Sequence, residues 1–292
     1  MPNKLLIIYV IVASLLAAGC SPAAQPTATP QSTPAADCLT TAHSPEVHVY
    51  SDIPYRDGES ASWLLDVADP VSDSLALRPA IVIIHGGGWS AGSKHHMVYR
   101  DLLIDYALQG YVTLSVEYRF NQEADFPACI EDVKCAVRWL KAHAAELRVD
   151  PDRIGLYGHS AGAHLALMVA VSSSNPELEG DGPNQDFSSA VACCAAGSPP
   201  TEIGNPKSPW SLHPEWWPIG YISKDVPPLL LLQGIDDAIV KVERTDHYVE
   251  QMRASGASID YIRIPGHHGV AYDTALDVTK PAMDAFFAKH LK

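Results

Sequence analysis

The chain has 292 residues, of which 47% are hydrophobic and 18% are charged. This composition supports a sizeable buried core and excludes an intrinsically disordered protein. The formal net charge is −14, and no cluster of Lys or Arg offers a surface for phosphates, so we expect no nucleic-acid partner.

The N-terminus has the layout of a secretory signal. Lys4 precedes the apolar-rich run LLIIYVIVASLLAA, which is too short for a membrane span of about 20 residues. The ending LLAAGC resembles a bacterial lipobox, although Ala17 stands where Leu is commoner. We predict a cleaved signal over residues 1–19 and lipidation of Cys20, which would anchor the protein to a membrane outside the cytoplasm. An ordinary cleaved signal, with free secretion, is the alternative.

Residues 20–37 are rich in Pro, Ala and Thr and show no apolar periodicity. Such a composition is typical of an extended, solvated tether. Residues 38–292 show no internal repeat, and we expect them to form one globular domain.

The chain has six cysteines. If Cys20 is lipidated, five remain, so at least one is unpaired within the chain. Cys129 and Cys135 would lie about 9 Å apart along one helix, beyond the reach of a disulfide. A bridge between the adjacent Cys193 and Cys194 would be strained, and small buried thiols are the simpler interpretation. We therefore predict no specific disulfide.

Short apolar runs bounded by Gly and Pro predict eight strands. The first two, residues 46–53 and 62–70, are separated by no helix-length segment and should pair antiparallel. The other six have the apolar character of parallel strands that are buried on both faces. They cover residues 79–87, 110–118, 152–160, 189–197, 227–234 and 258–266.

Helical periodicity marks four segments between or after these strands. In residues 125–153, apolar side chains recur at spacings of three and four from Ile130 to Ala144, which defines one helix face. Pro127 suits the first turn of this helix and Pro151 lies past its end. The other predicted helices are Ala161–Val171, 244–256 and 273–292. Alternating strands and helices predict an α/β, doubly wound, mostly parallel sheet with helices on both faces.

A candidate nucleophile lies in the segment IGLYGHSAG, where Ser160 joins an apolar strand to an apolar helix. Gly158 and Gly162 permit the sharp turn that such a serine needs. The Gly-x-Ser-x-Gly motif alone is weak, since roughly 0.1 matches arise by chance in a chain of this composition. Its position at a strand end, where α/β sheets bind ligands, makes Ser160 the candidate.

A serine nucleophile needs a histidine base and an acid that orients it. Asp236 and Asp237 follow the strand at 227–234, and His267 and His268 follow the last strand. The order serine, acid, histidine is that of α/β-hydrolases. Position after the strands does not by itself choose between the two acids or between the two histidines.

Three glycines, at 86–88, follow the strand IVII. Because they lack side chains, their backbone amides can approach a substrate oxygen, as an oxyanion hole requires. We expect the amides of Gly87 and Gly88 to act together with that of Ala161, the residue after the candidate nucleophile.

The segments HGGGWSAGSK, VEYRF, FPACIEDVKCAVRWLKAH, VDPDRIGLYGHSAGAHLA, PIGYISKDVPPLLLLQGIDDAIV and IPGHHGV cover most of residues 80–270. Together they resemble α/β-hydrolase-fold serine esterases and lipases with an HGGGW oxyanion loop, and are similar to secreted acetylxylan and feruloyl esterases. The resemblance implies that Asp237, three residues past Gly234, is the acid and that His268, which precedes a glycine, is the base. Gln233 stands where relatives usually have His.

The segment Ser198–Tyr221 departs from the family wording and carries Trp210, Trp216 and Trp217. Either it forms a short cap whose indoles line an acyl or sugar pocket, or the tryptophans cover the sheet edge. We expect Trp89, beside the oxyanion glycines, at the mouth of the pocket.

The remaining histidines near these motifs are not expected to act as bases. His85, His159 and His164 are interpreted as packing or hydrogen-bonding residues. His95 and His96 have no partner at metal-ligand spacing, and we predict no metal site. We also predict no cofactor, because the mechanism needs only side chains and backbone amides.

These features predict a serine esterase that acts on short-chain acyl esters, with acetyl or feruloyl groups on plant polysaccharide among the substrates that the resemblance implies. The alternatives are an amidase, formamidase or peptidase on the same fold, or a non-catalytic binding protein on this scaffold. Neither the natural ester nor the oligomeric state can be derived from these patterns.

Overall fold

The computed structural model describes residues 46–71, 74–204 and 209–292. The predicted signal (1–19), the predicted tether (20–37) with Cys20, and Cys38 lie outside these residues. Within them, no helix is both long and apolar enough to cross a bilayer.

Eight strands form one sheet, as expected, in the order β1-β2-β4-β3-β5-β6-β7-β8. Strands β3 to β8 pair in parallel, whereas β1 and β2 pair antiparallel with each other and β2 pairs antiparallel with β4. The strands are β1 Val47–Pro54, β2 Leu64–Pro70, β3 Arg78–Ile84, β4 Val112–Val116, β5 Val149–His159, β6 Cys193–Gly197, β7 Leu229–Gly234 and β8 Ile259–Ile264.

The described residues contain α-helices α1 Met97–Leu108, α2 Ala128–Ala142, α3 Ala161–Val171, α4 Val242–Ser255 and α5 Leu276–Leu291. The sequence prediction omitted α1, although its buried residues Leu102, Leu103 and Tyr106 recur at helical spacing. Helix α2 is shorter than the predicted segment, because the chain from Val149 onward already belongs to β5. A π-helical turn, Val270–Thr274, precedes α5.

Two apolar cores lie on the two faces of the sheet. Alternate side chains of β3 divide between them: Val82 and Ile84 face the core that α2, α3 and α4 cover, and Ile83 faces the core that α1 and α5 cover. Burial of one such side chain contributes about 1.5–3 kcal/mol. The near-continuous apolar runs of the parallel strands reflect this burial on both faces.

The four described cysteines are free and buried. Cys193 and Cys194 point to opposite faces of the sheet, one into each core. Burial raises the pKa of the Cys193 thiol to about 12, which makes it a packing residue and not a reactive thiol.

The carboxyl ends of the parallel strands meet at one edge of the sheet, where ligands bind in such folds. The glycine loop follows β3, Ser160 follows β5, the acidic turn follows β7 and the paired histidines follow β8. The fold thus collects segments that are far apart in sequence.

Candidate active site

Ser160 occupies a strained turn between β5 and α3, with φ 55° and ψ −121°. A positive φ at a non-glycine residue costs about 1–3 kcal/mol and persists only where the surroundings impose it. Here a Cβ at Gly158 would lie 2.2 Å from the carbonyl oxygen of Gly162, and a Cβ at Gly162 would lie 2.2 Å from that of Ile84. Both glycines are therefore required by close backbone packing. The Ser160 amide is held by the Gly197 carbonyl over 2.8 Å.

The structure brings Ser160, His268 and Asp237 into one hydrogen-bonded chain. The distance from Ser160 Oγ to His268 Nε2 is 2.8 Å, and that from His268 Nδ1 to Asp237 Oδ2 is also 2.8 Å. Asp236 and His267, the neighbours that the order of elements alone did not exclude, are exposed. Only Asp237 and His268 make these contacts.

The environment of Asp237 keeps it ionised. Burial opposes ionisation, but hydrogen bonds from His268 and from the amides of Val240 and Ile239 outweigh it and lower the pKa of this carboxyl to about 2. An ionised carboxylate only accepts hydrogen bonds, so His268 must carry its proton on Nδ1. Nε2 is then left to accept the proton of the Ser160 hydroxyl.

Gln233 also contacts this acid, a role that the sequence reasoning missed. It is buried at the end of β7, and its Nε2 lies 3.1 Å from Asp237 Oδ2. In the sequence, Gln233 is notable only because it replaces the His that relatives usually have at this position. Its position could have indicated this contact, because it lies at the end of β7, four residues before the acid.

The glycine loop after β3 presents backbone amides beside Ser160. Gly86 donates its amide to the Tyr99 hydroxyl over 2.8 Å, so it is engaged elsewhere. Among the described residues, no protein acceptor faces the amides of Gly87, Gly88 or Ala161. These three amides, the ones expected from the sequence, therefore remain available as hydrogen-bond donors, which an oxyanion hole requires.

A hydrogen-bonded pair, His85 and Glu117, supports this loop. His85 Nε2 lies 2.9 Å from Glu117 Oε2, and the other carboxylate oxygen of Glu117 accepts from the Ser93 hydroxyl and the Lys94 amide, each over 2.9 Å. Burial opposes ionisation of Glu117, but the bonds from His85, Lys94 and Ser93 lower its pKa. These contacts fix both ends of the glycine loop, His85 at one end and Ser93 and Lys94 at the other, to Glu117 directly after β4.

His159 and His164 are buried and hydrogen-bonded, as interpreted from the sequence. His159 Nε2 lies 2.8 Å from the His268 carbonyl oxygen. Trp89 Nε1 donates to His164 Nδ1 over 3.2 Å, and His164 Nε2 lies 2.9 Å from the Trp216 carbonyl oxygen. Burial lowers the pKa of each of these two imidazoles to about 4, so both are neutral at physiological pH.

Two cavities open beside Ser160, and both are lined by it. The first, of about 260 Å³, is lined by Trp89, Trp210 and Trp217 and includes Ala161. The second, of about 450 Å³, is lined by the glycine loop and His268, and also by Ser93, His96 and Tyr99.

Three of the four tryptophans expected to line the pocket, Trp89, Trp210 and Trp217, do so. The expectation is wrong for Trp216, which does not line the first cavity and stacks on His213 with ring centroids 3.7 Å apart. The described part of Ser198–Tyr221 folds into short 3-10 turns, Pro209–Leu212, Pro214–Trp216 and Pro218–Tyr221. In consecutive short turns, neighbouring indoles point in different directions.

Asp52, Asp66 and His95 offer ligand atoms within 4.8 Å of one another. The ammonium of Lys94, which is buried, already lies 2.7 Å from a carboxylate oxygen of each acid. The Lys94 ammonium thus already pairs with both carboxylates, and the cluster carries no argument for a bound metal.

Comparisons with known proteins identify a family and related esterases. The BD-FAE family model matches residues 65–210, half of the chain. The esterase LipQ of Mycobacterium tuberculosis is 28% identical over 253 residues, which cover 78% of this chain and 58% of that protein. A probable carboxylic ester hydrolase of the same organism, LipM, is 28% identical, with coverages of 73% and 54%. The chain thus spans a little over half the length of these curated relatives.

Solved structures of esterases share the fold. A truncated form of a carbohydrate esterase from gut microbiota superposes with a TM-score of 0.72 and 25% identity, covering 83% of this chain and 96% of that one. Esterase 2 of Thermogutta terrifontis, in a form phosphoramylated by tabun, superposes with a TM-score of 0.70 and 26% identity, covering 85% and 95%.

Proposed function

Because the chain belongs to the BD-FAE family of α/β-hydrolase esterases, we propose that it hydrolyses carboxylic esters by a serine mechanism. Ser160 is the nucleophile, His268 the general base and acid, and Asp237 the residue that orients His268. The observation that carries the proposal is the continuous hydrogen-bonded chain of these three side chains at the strand ends.

In the acylation step, Ser160 Oγ forms a bond to the ester carbonyl carbon while its proton passes to His268 Nε2. The carbonyl oxygen becomes an oxyanion that accepts hydrogen bonds from the amides of Gly87, Gly88 and Ala161. The bond from carbon to the alcohol oxygen then breaks, and His268 returns the proton to that oxygen. Loss of one oxyanion donor typically costs 10²–10³ in rate.

In the deacylation step, water attacks the acyl-enzyme carbonyl carbon as His268 accepts a proton from it. Collapse of the second tetrahedral intermediate breaks the bond to Ser160 Oγ, which regains its proton from His268. The products are the free acid and the regenerated enzyme. Every proton transfer passes through His268, which already contacts Ser160.

The test is hydrolysis of 4-nitrophenyl esters from acetyl to octanoyl by the wild type and by Ser160→Ala, with labelling by a fluorophosphonate as a second readout. We expect turnover and labelling in the wild type and loss of both in the variant. Equal rates, or failure of the wild type to react with either reagent, would favour the non-catalytic scaffold. A clear preference for arylamides over esters would favour an amidase.

We propose further that the natural substrates are acetyl or feruloyl esters of plant polysaccharide. The resemblance to acetylxylan and feruloyl esterases supports this, as does the structural similarity to a carbohydrate esterase. Release of acetate or ferulate from acetylated or feruloylated xylan, at rates above those for simple alkyl esters, would be the expected result.

We propose also that the protein is exported and anchored through a lipid on Cys20, which lies outside the described residues. The supporting features are the apolar signal-like run and the lipobox-like ending LLAAGC. Metabolic labelling with palmitate should mark the wild type but not Cys20→Ser. Unlabelled wild type in the culture medium would instead support an ordinary cleaved signal.

A further inference from the structure

The two cavities beside Ser160 differ in which catalytic group they contain. His268 lines the cavity formed by the glycine loop, whereas the cavity walled by Trp89, Trp210 and Trp217 does not include it. The following assignment rests on the proposed esterase mechanism, in which His268 must protonate the leaving alcohol.

A general acid must lie within hydrogen-bond reach of the atom that it protonates. The alcohol oxygen therefore lies on the side of Ser160 where His268 is, and the alcohol occupies the cavity that His268 lines. Ser93, His96 and Tyr99 line this side too. The acyl group is left with the tryptophan cavity.

The volume of the tryptophan cavity is larger than a short acyl chain needs. An apolar cavity of about 150 Å³ in another protein holds benzene, and this one measures about 260 Å³. A six-membered ring with a short linker to the carbonyl therefore fits, and three indole faces and edges are available to pack on the ring.

One part of the wall of this acyl cavity is charged. Glu202 and Arg244 both line it, and each side chain is partly exposed. Their mutual contact is loose, since Arg244 Nε lies 3.9 Å from Glu202 Oε1, beyond hydrogen-bond distance. Arg244 Nη2 donates to the Gly204 carbonyl over 2.8 Å, and Glu202 Oε2 lies 3.2 Å from His247 Nδ1.

Both charged groups keep hydrogen-bonding capacity after these contacts. A guanidinium has five donors, and a carboxylate has about four acceptor sites. A hydroxyl both donates and accepts, so it complements this donor and this acceptor together. A methyl ether can use only the donor, and a hydrogen substituent can use neither.

We infer that Glu202 and Arg244 are specificity-determining residues, which bind a hydroxyl group carried by a ring-sized acyl group in the tryptophan cavity. Arg244 donates a hydrogen bond to the hydroxyl oxygen, and Glu202 accepts a hydrogen bond from the hydroxyl. The tryptophans bind the body of the acyl group without distinguishing its substituents.

The test compares kcat/KM for three methyl esters of 3-phenylpropanoic acid that carry a hydrogen, a methoxy or a hydroxyl group at ring position 4. We expect the wild type to prefer the hydroxyl ester to the unsubstituted one by about 10-fold, the low end for hydrogen bonds to charged groups at a partly exposed site. The methoxy ester should fall between them.

The variants separate the two residues. Glu202→Leu should reduce the preference for the hydroxyl ester to that for the methoxy ester. Arg244→Leu should reduce the preference for the methoxy ester to about 1, while the hydroxyl ester keeps the smaller preference that Glu202 provides. The readout is the ratio of kcat/KM values within each variant, so an effect of the substitution that is common to all three esters cancels. The matched control is Arg253→Leu, on an exposed position of the same helix α4, which should keep the wild-type ratios.

A second substrate set tests the assignment of the two cavities. In 2-phenylethyl acetate and 2-(4-hydroxyphenyl)ethyl acetate the ring is on the alcohol side, and Arg244→Leu should leave their ratio unchanged. A change in that ratio, or a wild-type ratio near 1 among the propanoates, would overturn the inference. Hydrolysis of 4-nitrophenyl acetate with no hydrolysis of the propanoates would also overturn it, whereas no hydrolysis of any ester would overturn the proposed function itself.

Discussion

Gln233 donates a hydrogen bond from Nε2 to Asp237 Oδ2 over 3.1 Å, to the same oxygen that contacts His268 Nδ1. The carboxamide is itself fixed, because the Thr245 hydroxyl donates to its Oε1 over 2.9 Å and its Nε2 also lies 3.0 Å from the Val240 carbonyl oxygen. The acid is thus held in position by groups on β7, on the following turn and on α4.

Replacing Gln233 with Leu should lower kcat by about 10-fold with little change in KM, because one hydrogen bond to a charged group is lost. The unfolding free energy should also fall by about 1–3 kcal/mol, since buried polar groups lose their partner. Steady-state kinetics and a thermal melt measure the two effects. The control variant Gln233→His keeps a ring N–H donor and should retain most of the activity. An unchanged kcat in Gln233→Leu would show that Gln233 contributes only packing.

Asp237→Asn should lower kcat by about 10³- to 10⁴-fold, because an uncharged amide neither selects the correct tautomer of His268 nor stabilises its protonated form. The matched control is Asp236→Asn, at the exposed neighbouring position, for which we expect a change below about 2-fold. Similar losses in the two variants would assign the effect to the turn and not to Asp237.

The oxyanion glycines should differ in their tolerance of alanine. A Cβ at Gly87 would lie 1.8 Å from the Ala91 carbonyl oxygen at a φ of +127°, whereas at Gly88, with φ +61°, the nearest atom is 3.8 Å away. Gly87→Ala should therefore displace the loop and lower kcat by about 10²–10³-fold. Gly88→Ala should cost less than about 10-fold, because alanine can adopt that conformation for about 1–2 kcal/mol. The reverse order of kcat values would contradict this account of the loop.

His164 should make stability depend on pH. Burial lowers its pKa from 6.5 to about 4, and protonation would put a second N–H against the Trp89 indole N–H. The unfolded chain binds the proton at a higher pH than the folded chain, so the unfolding free energy falls as the pH drops from 6.5 to 4. The loss from this group totals about 3 kcal/mol.

Thermal melts between pH 7 and pH 4 test this dependence. His164→Gln cannot titrate, so its melting temperature should fall less steeply with acid than that of the wild type, whatever its value at pH 7. His48→Gln, at an exposed position on β1, is the control and should keep the wild-type slope. Parallel slopes for His164→Gln and the wild type would show that this imidazole does not carry the effect.

The fold and the chemistry of the site were largely accessible from the amino-acid pattern. The eight strands, the turn at Ser160 and the two required glycines follow from local rules, because burial on both sheet faces and close backbone approach leave few residue types. Even α1 had a helical spacing that could have been used. Residue order placed an acid and a histidine after the last two strands.

Residue order alone did not choose between Asp236 and Asp237 or between His267 and His268, and only the resemblance to a family favoured Asp237 and His268. The tertiary structure shows the physical reason: adjacent residues in a turn point in different directions, so only Asp237 contacts His268 and only His268 contacts Ser160, 108 positions away in sequence. For the same reason it alone placed Trp216 outside the cavity and Gln233 against the acid. A sequence determines its own local conformations, but the direction of each side chain toward a distant partner is set by the packing of the whole sheet and its helices.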